Sequence, residues 1–145
     1  MINIRMDLKP ADFDEKLAHM WDLSAKKIRA IEASLAPDAG APVFTVEGRY
    51  TSRGWTEWTQ GFQFGAPILQ FDATGDESFL QTGRTAVRER MAGHLTHFGV
   101  HDHGFNNIST YGNLLRLARE ERYAATEWET EYYAQALKVS GAVQA

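Results

Sequence analysis

The chain has 145 residues, 43% hydrophobic and 23% charged, with 15 basic against 19 acidic side chains for a net charge of -4. That balance fits one globular domain able to bury a core, with no signature of disorder. Basic residues form no stripe, which argues against nucleic acid as a partner, and the absence of cysteine excludes disulfides, thiolate metal sites and thiol nucleophiles. The start of the sequence lacks a basic-then-apolar leader, and no apolar stretch has the length of a membrane span. A soluble cytoplasmic protein without membrane contact is the expectation.

The spacing predicts a first helix from about Asp12, with Asp12 as its cap and Glu15 completing a capping box. Phe13, Leu17, Met20 or Trp21, Ser24, Ile28, Ile31 and Leu35 keep the helical period. Pro37, Gly40 and Pro42 end it. Residues 37–54 read as a long connection, with 43–46 as a short extended piece and 49–54 as a loop. A second helix is predicted over 56–73 through Trp58, Phe62, Gly65, Leu69 and Phe71. It is apolar on more than one side, so it should be buried. Gly61 and Gly65 cost helix stability but let a second backbone or a ligand approach closely.

Gly75 suits a left-handed helix end and Asp76 the cap of a third helix, predicted to run to about residue 98. Phe79, Leu80, Gly83, Val87, Met91 and Leu95 form its inward face. A polar turn, Val100-His101-Asp102-His103-Gly104, leads to a fourth helix over 107–119. A fifth starts near Tyr123 and carries Trp128, Tyr132, Ala136 and Val139. No strand pair stands out, and there is no repeat by residue identity. The chain therefore reads as a single all-α domain over 1–145, built of antiparallel αα-hairpins.

Three groups of residues carry candidate chemistry. Asp102 lies in a turn between helices, where clefts form, beside apolar Phe105. A carboxylate in such surroundings has its charged form disfavoured, as a general acid requires. The alternative is an ordinary helix-cap aspartate with the histidines as solvated neighbours. His94, His97, His101 and His103 gather around it, but their spacing matches no metal motif, so no metal or cofactor is expected. Trp55 and Trp58 give sugars a flat apolar face with an N–H to donate, and core packing is the alternative. Tyr50, Phe62 and Phe64 add aromatic density. Arg49 and Arg53 offer either a carboxylate clamp or exposed surface charge.

Trp58-Thr59-Gln60-Gly61-Phe62, Gly65, Thr74-Gly75-Asp76 and His101-Asp102-His103-Gly104-Phe105 occur in that order. The ordered set resembles the N-terminal part of the unsaturated glucuronyl and rhamnogalacturonyl hydrolases, the six-hairpin glycosidases. It spans about 53–117 and continues loosely to Ala145. The resemblance implies part of an (α/α)6 barrel that removes a Δ4,5-unsaturated uronyl residue from lyase-generated oligosaccharides by hydrating a vinyl ether. It implies Asp102 as one of two active-site aspartates, His101 as a substrate contact, and Trp58, with Trp55 and Phe105, on the sugar-binding face. The chain departs from the family pattern at Gln63 and Gln70, where tryptophan is common, and at His103, where an aliphatic residue is usual. The second aspartate has no counterpart, so the chain is expected to be a portion of a longer hydrolase, weak or inactive alone and prone to self-association. The rival expectations are a non-catalytic helical module that binds carbohydrate or protein, and a small histidine metalloprotein.

Overall fold

The computed structural model describes residues 5–36, 38–99 and 102–145. The chain is mostly helical. A 3-10 turn, Pro10–Phe13, leads into α1, Asp14–Ser34. Proline suits the first helical position because its missing N–H would have no acceptor there. Asp12 acts from inside this turn. Its carboxylate accepts the Lys9 backbone N–H at 2.7 Å, so it closes the helix start from the third position instead of preceding it as the cap. Only the second half of α1 packs. Ile28 is buried and Trp21, Ser24, Ala25 and Ile31 are half-buried, while Phe13, Leu17 and Met20 stay exposed.

The all-helical expectation needs one correction. Strands β1, Pro42–Val46, and β2, Arg49–Ser52, form an antiparallel hairpin pairing Thr45 with Tyr50 and Val46 with Arg49. Glu47 and Gly48 make its two-residue turn at φ 51° and 75°. Positive φ at both positions gives the backbone twist that matches paired strands. The guanidinium of Arg53 stands over the Phe44 ring at 5.1 Å, and the Arg53 N–H bonds the Ala41 carbonyl at 2.9 Å. Arg53 is thus engaged with the hairpin.

Helices α2, Thr59–Thr74, and α3, Glu77–Arg90, make the expected hairpin. Gly75 takes φ 73° and returns its N–H to the Phe71 carbonyl at 2.7 Å. The Asp76 carboxylate accepts the Ser78 N–H at 2.9 Å. Phe79, Leu80, Gly83, Val87 and Met91 are buried, as their spacing requires. The helix ends sooner than expected, at Arg90, and a 3-10 turn follows at Ala92–Leu95.

Next, α4, His103–Asn107, a π-helical turn, Ile108–Gly112, and α5, Asn113–Arg119, make one rod. It begins four residues before the expected start. Thr110 and Asn113 donate their side chains to the carbonyls of Asn106 and Ser109, at 2.6 and 3.0 Å. These bonds occupy carbonyls around the widened turn. Helix α6, Glu127–Gln144, opens on a capping box: Thr126 Oγ1 accepts the Glu129 N–H, and Glu129 Oε2 accepts the Thr126 N–H. Its buried face is Glu129, Tyr133, Ala136 and Ser140. Trp128 and Val139 face out.

The helices run in two sets. Gly61 lies against Asn106, Gly65 against Ser109, and Asp72 pairs with Arg116 at 2.6 Å. The partner numbers rise together, so α2 and the α4–α5 rod are parallel. Arg84 pairs with Glu129, and Gln144 reaches the His97 carbonyl, so α3 and α6 are parallel too. Arg29 bonds Ser78 at 2.7 Å and Arg90 bonds the Ala39 carbonyl at 2.7 Å, which gives α1 the same direction as α3. The core fills the space between the sets with Phe64, Ile68, Phe71, Tyr111, Leu114 and Leu117 among others. No helix among the described residues is long and apolar enough to cross a membrane.

Candidate functional site

Parallel helices bring their starts to one end of the molecule. Trp58 immediately precedes α2 and Asp102 immediately precedes α4, so the two share that end. What holds these starts together is close backbone approach. A Cβ on Gly61 would lie 2.3 Å from the Asn106 Cα, and one on Gly65 would lie 2.6 Å from the Ser109 carbonyl oxygen. The Gly61 N–H, a free donor in the first turn, bonds Asn106 Oδ1 at 2.8 Å. The two glycines therefore serve helix packing, one of the two uses their spacing allows.

Trp58, Phe62 and Phe105 form one aromatic group. Ring centroids lie 5.6 Å apart for Trp58–Phe62, 6.2 Å for Trp58–Phe105 and 5.5 Å for Phe62–Phe105. All three remain substantially exposed, at 39%, 43% and 49%. Leu69 and Ile108, also exposed, extend this apolar face along α2 and the rod. Asp102 sits at the cap position of α4, half-buried, and its carbonyl accepts the Phe105 N–H at 2.9 Å. Its carboxylate does not cap the helix. That hydrogen-bonded turn ties the aspartate to the aromatic group through Phe105. His101 lies outside the described residues.

Trp55 is drawn to a different neighbourhood. Its ring meets His94 edge-on at 5.2 Å and His97 at 5.5 Å. Beneath it lies a buried polar nest built by Gln60, His94, His103, Asn106 and Asn107. His94 Nε2 bonds Gln60 Oε1 at 2.6 Å, and the Asn107 amide reaches the carbonyls of His94 and His103 at 3.4 and 3.2 Å. His94 Nδ1, Asn106 Nδ2 and Asn107 Oδ1 are buried without a partner, and His103 has only a weak contact with the Leu95 backbone. Burial pushes His94 down to about 4, with His97 and His103 adding to the effect. Burial, then His97, also lowers His103. Both imidazoles are therefore neutral at pH 7, and the nest supplies neutral donors and acceptors.

Sequence reasoning named the histidines but missed Gln60, Asn106 and Asn107. The available signal was a pair of asparagines inside a helix, where they are poor formers unless they bond elsewhere. Among the described residues no group of three or more His, Cys, Asp or Glu is placed to hold a metal ion. No known family, curated protein or solved structure matches the chain.

Proposed function

We propose that this chain is the sugar-binding, acid-bearing portion of a glycoside hydrolase that removes a Δ4,5-unsaturated uronyl residue from lyase-generated oligosaccharides. The observation that carries this reading is the common end of α2 and α4, where Trp58 and Asp102 begin parallel helices and Phe105 joins them. The exposed aromatic group suits the apolar face of a sugar ring. Helix starts favour negative charge, which suits the carboxylate of a uronate.

The hairpin order adds support. Equivalent helices recur 44 to 45 residues apart and run parallel, as Gly61–Asn106, Arg84–Glu129 and Asp72–Arg116 mark. Successive αα-hairpins of this kind are the unit of which helical barrels and solenoids are made. In a complete (α/α)6 barrel, α2 and the α4–α5 rod would be neighbouring inner helices. Their exposed apolar face would then line the centre.

The chemistry follows from the substrate. The ring oxygen is conjugated with the C4–C5 double bond, so a proton delivered to C4 leaves the positive charge on C5, shared with that oxygen. Asp102, as the acid or as the carboxylate partner of a second one, supplies or steers this proton. Water adds at C5 and releases a proton to a carboxylate. The hemiketal then opens and expels the remaining sugar. Such proton transfer contributes about 10²–10⁴-fold.

The test follows loss of the double-bond absorbance on an unsaturated uronyl disaccharide, with binding measured in parallel. Asp102→Asn should retain binding and lose turnover by about 10²-fold or more. Trp58→Ala should weaken binding. Full turnover by Asp102→Asn would remove Asp102 from the mechanism. The exposed aromatic group of Trp58, Phe62 and Phe105 also suits a non-catalytic module. Disaccharide binding lost in Trp58→Ala, without turnover in any assembly of the chain, would establish that alternative.

A further inference from the structure

We propose that the cleft between α1, the β-hairpin and α2 binds a small primary ammonium compound carrying an apolar body. The cleft has a volume of about 290 Å³ and is walled by aliphatic residues of α1 and the hairpin together with Tyr50, Trp58 and Phe62. That is the low end of small-molecule sites, roughly 300–1,000 Å³, so the occupant is about one ring in size.

Its polar lining includes one carboxylate and two groups with an unpartnered oxygen. Glu32 lines the cleft and is exposed overall, and partial desolvation of its carboxyl holds it above the usual carboxylate range, although Arg29 opposes this. Thr59 and Gln63 also line the cleft, and Thr59 Oγ1 and Gln63 Oε1 are buried without a hydrogen-bond partner. A carboxylate, an amide oxygen and a hydroxyl can all accept, and an unpartnered buried acceptor is costly. The three aromatic rings add faces of negative potential, to which cations are attracted. Acceptors and aromatic faces around an apolar volume call for an N–H-bearing cation on a hydrophobic body. A quaternary ammonium would satisfy the rings but leave the oxygens unpaired. The cleft shares Trp58 and Phe62 with the aromatic group described above but makes no use of Asp102, so the inference stands apart from the hydrolase reading.

Isothermal titration of the whole chain with 2-phenylethylammonium and its neutral isostere 2-phenylethanol tests this. The ammonium should bind saturably and about tenfold or more tighter than the alcohol, the worth of one charge-assisted hydrogen bond. Glu32→Gln should abolish that preference while retaining the helical circular dichroism. In the wild type, the Trp58 indole N–H resonance should shift on titration with the ammonium. Should Glu32→Gln not fold, the wild-type affinity ratio and the Trp58 shift decide. Equal affinities, a preference that survives in folded Glu32→Gln, an unmoved Trp58 resonance, or no saturable binding up to about 10 mM would each overturn the proposal.

Discussion

Replacing Gly61 by alanine tests the contact on which the shared helix end depends. The added Cβ would meet the Asn106 Cα at 2.3 Å, the Phe105 carbonyl oxygen at 2.5 Å and the Asn106 nitrogen at 2.9 Å. Carbon atoms rest at about 3.5–4.0 Å, so α2 and α4 must part by roughly 1 Å or more. All three atoms belong to backbone, so no rotamer change relieves the clash. Overpacking of this kind costs about 1–3 kcal/mol. Separation also stretches the buried bond from the Gly61 N–H to Asn106 Oδ1, now 2.8 Å, whose loss costs about 1–3 kcal/mol more. Against this stands about 1 kcal/mol of better helix propensity for alanine. The net expectation is a loss of about 1–5 kcal/mol, centred near 3, or roughly 10 °C in Tm for a chain of this size. Gly141→Ala is the matched control. It lies in α6 with nothing within 4 Å of the added Cβ, so it should gain up to about 1 kcal/mol. Thermal and urea unfolding followed by far-UV circular dichroism compares them. If Gly61→Ala proved as stable as Gly141→Ala, the direct contact between α2 and α4 would be refuted.

Three further outcomes are expected. His94 falls from 6.5 unfolded to about 4 folded, so its neutral burial contributes fully above about pH 6.5 and is lost as pH falls through 4, an effect of about 3 kcal/mol. His94→Gln should flatten the dependence of the urea midpoint on pH across that window, and an unchanged slope would refute the assignment. Glu129→Ala should cost about 2–3 kcal/mol in urea unfolding, because it removes the carboxylate that bonds the Thr126 N–H and strands the half-buried Arg84 guanidinium. Leu17→Lys combined with Met20→Lys should reduce self-association in sedimentation experiments, since both side chains are exposed on α1. An unchanged sedimentation profile of an associating wild type would exclude that face.

The features legible in the sequence were those with local causes. The α2–α3 hairpin could be read from Gly75 and Asp76 because a left-handed helix end and a cap are decided within a few residues. The β-hairpin was missed because its turn is Glu47–Gly48, and glutamate is not among the residues that announce positive φ. Its strands also leave Phe44, Val46 and Tyr50 exposed, so there was no alternation of buried and open positions to detect. The apolar residues of α6 do not mark its buried face, because the helix buries Glu129, whose carboxylate Arg84 and the Thr126 cap satisfy. Burial followed partners here instead of hydropathy.

The candidate site was half legible for a related reason. The sequence marks Trp58 and Asp102 as chemically notable, but their common end depends on which helix lies against which. Gly61 and Gly65 announce a close approach without naming the backbone that fills it. The opposing stretch from Phe105 to Ser109 has no small-residue signature of its own, because it offers main-chain atoms to the glycines. The widened turn at Ile108–Gly112 follows directly. A π-turn cannot be read from residue type, and beyond it Arg116 meets Asp72 at 2.6 Å, at the end of α2 away from Trp58. Two contacts at opposite ends of α2, a glycine seam near its start and an ion pair near its finish, therefore fix both the direction and the register of the rod. With those fixed, Asp102 can begin α4 only beside the start of α2, where Trp58 stands.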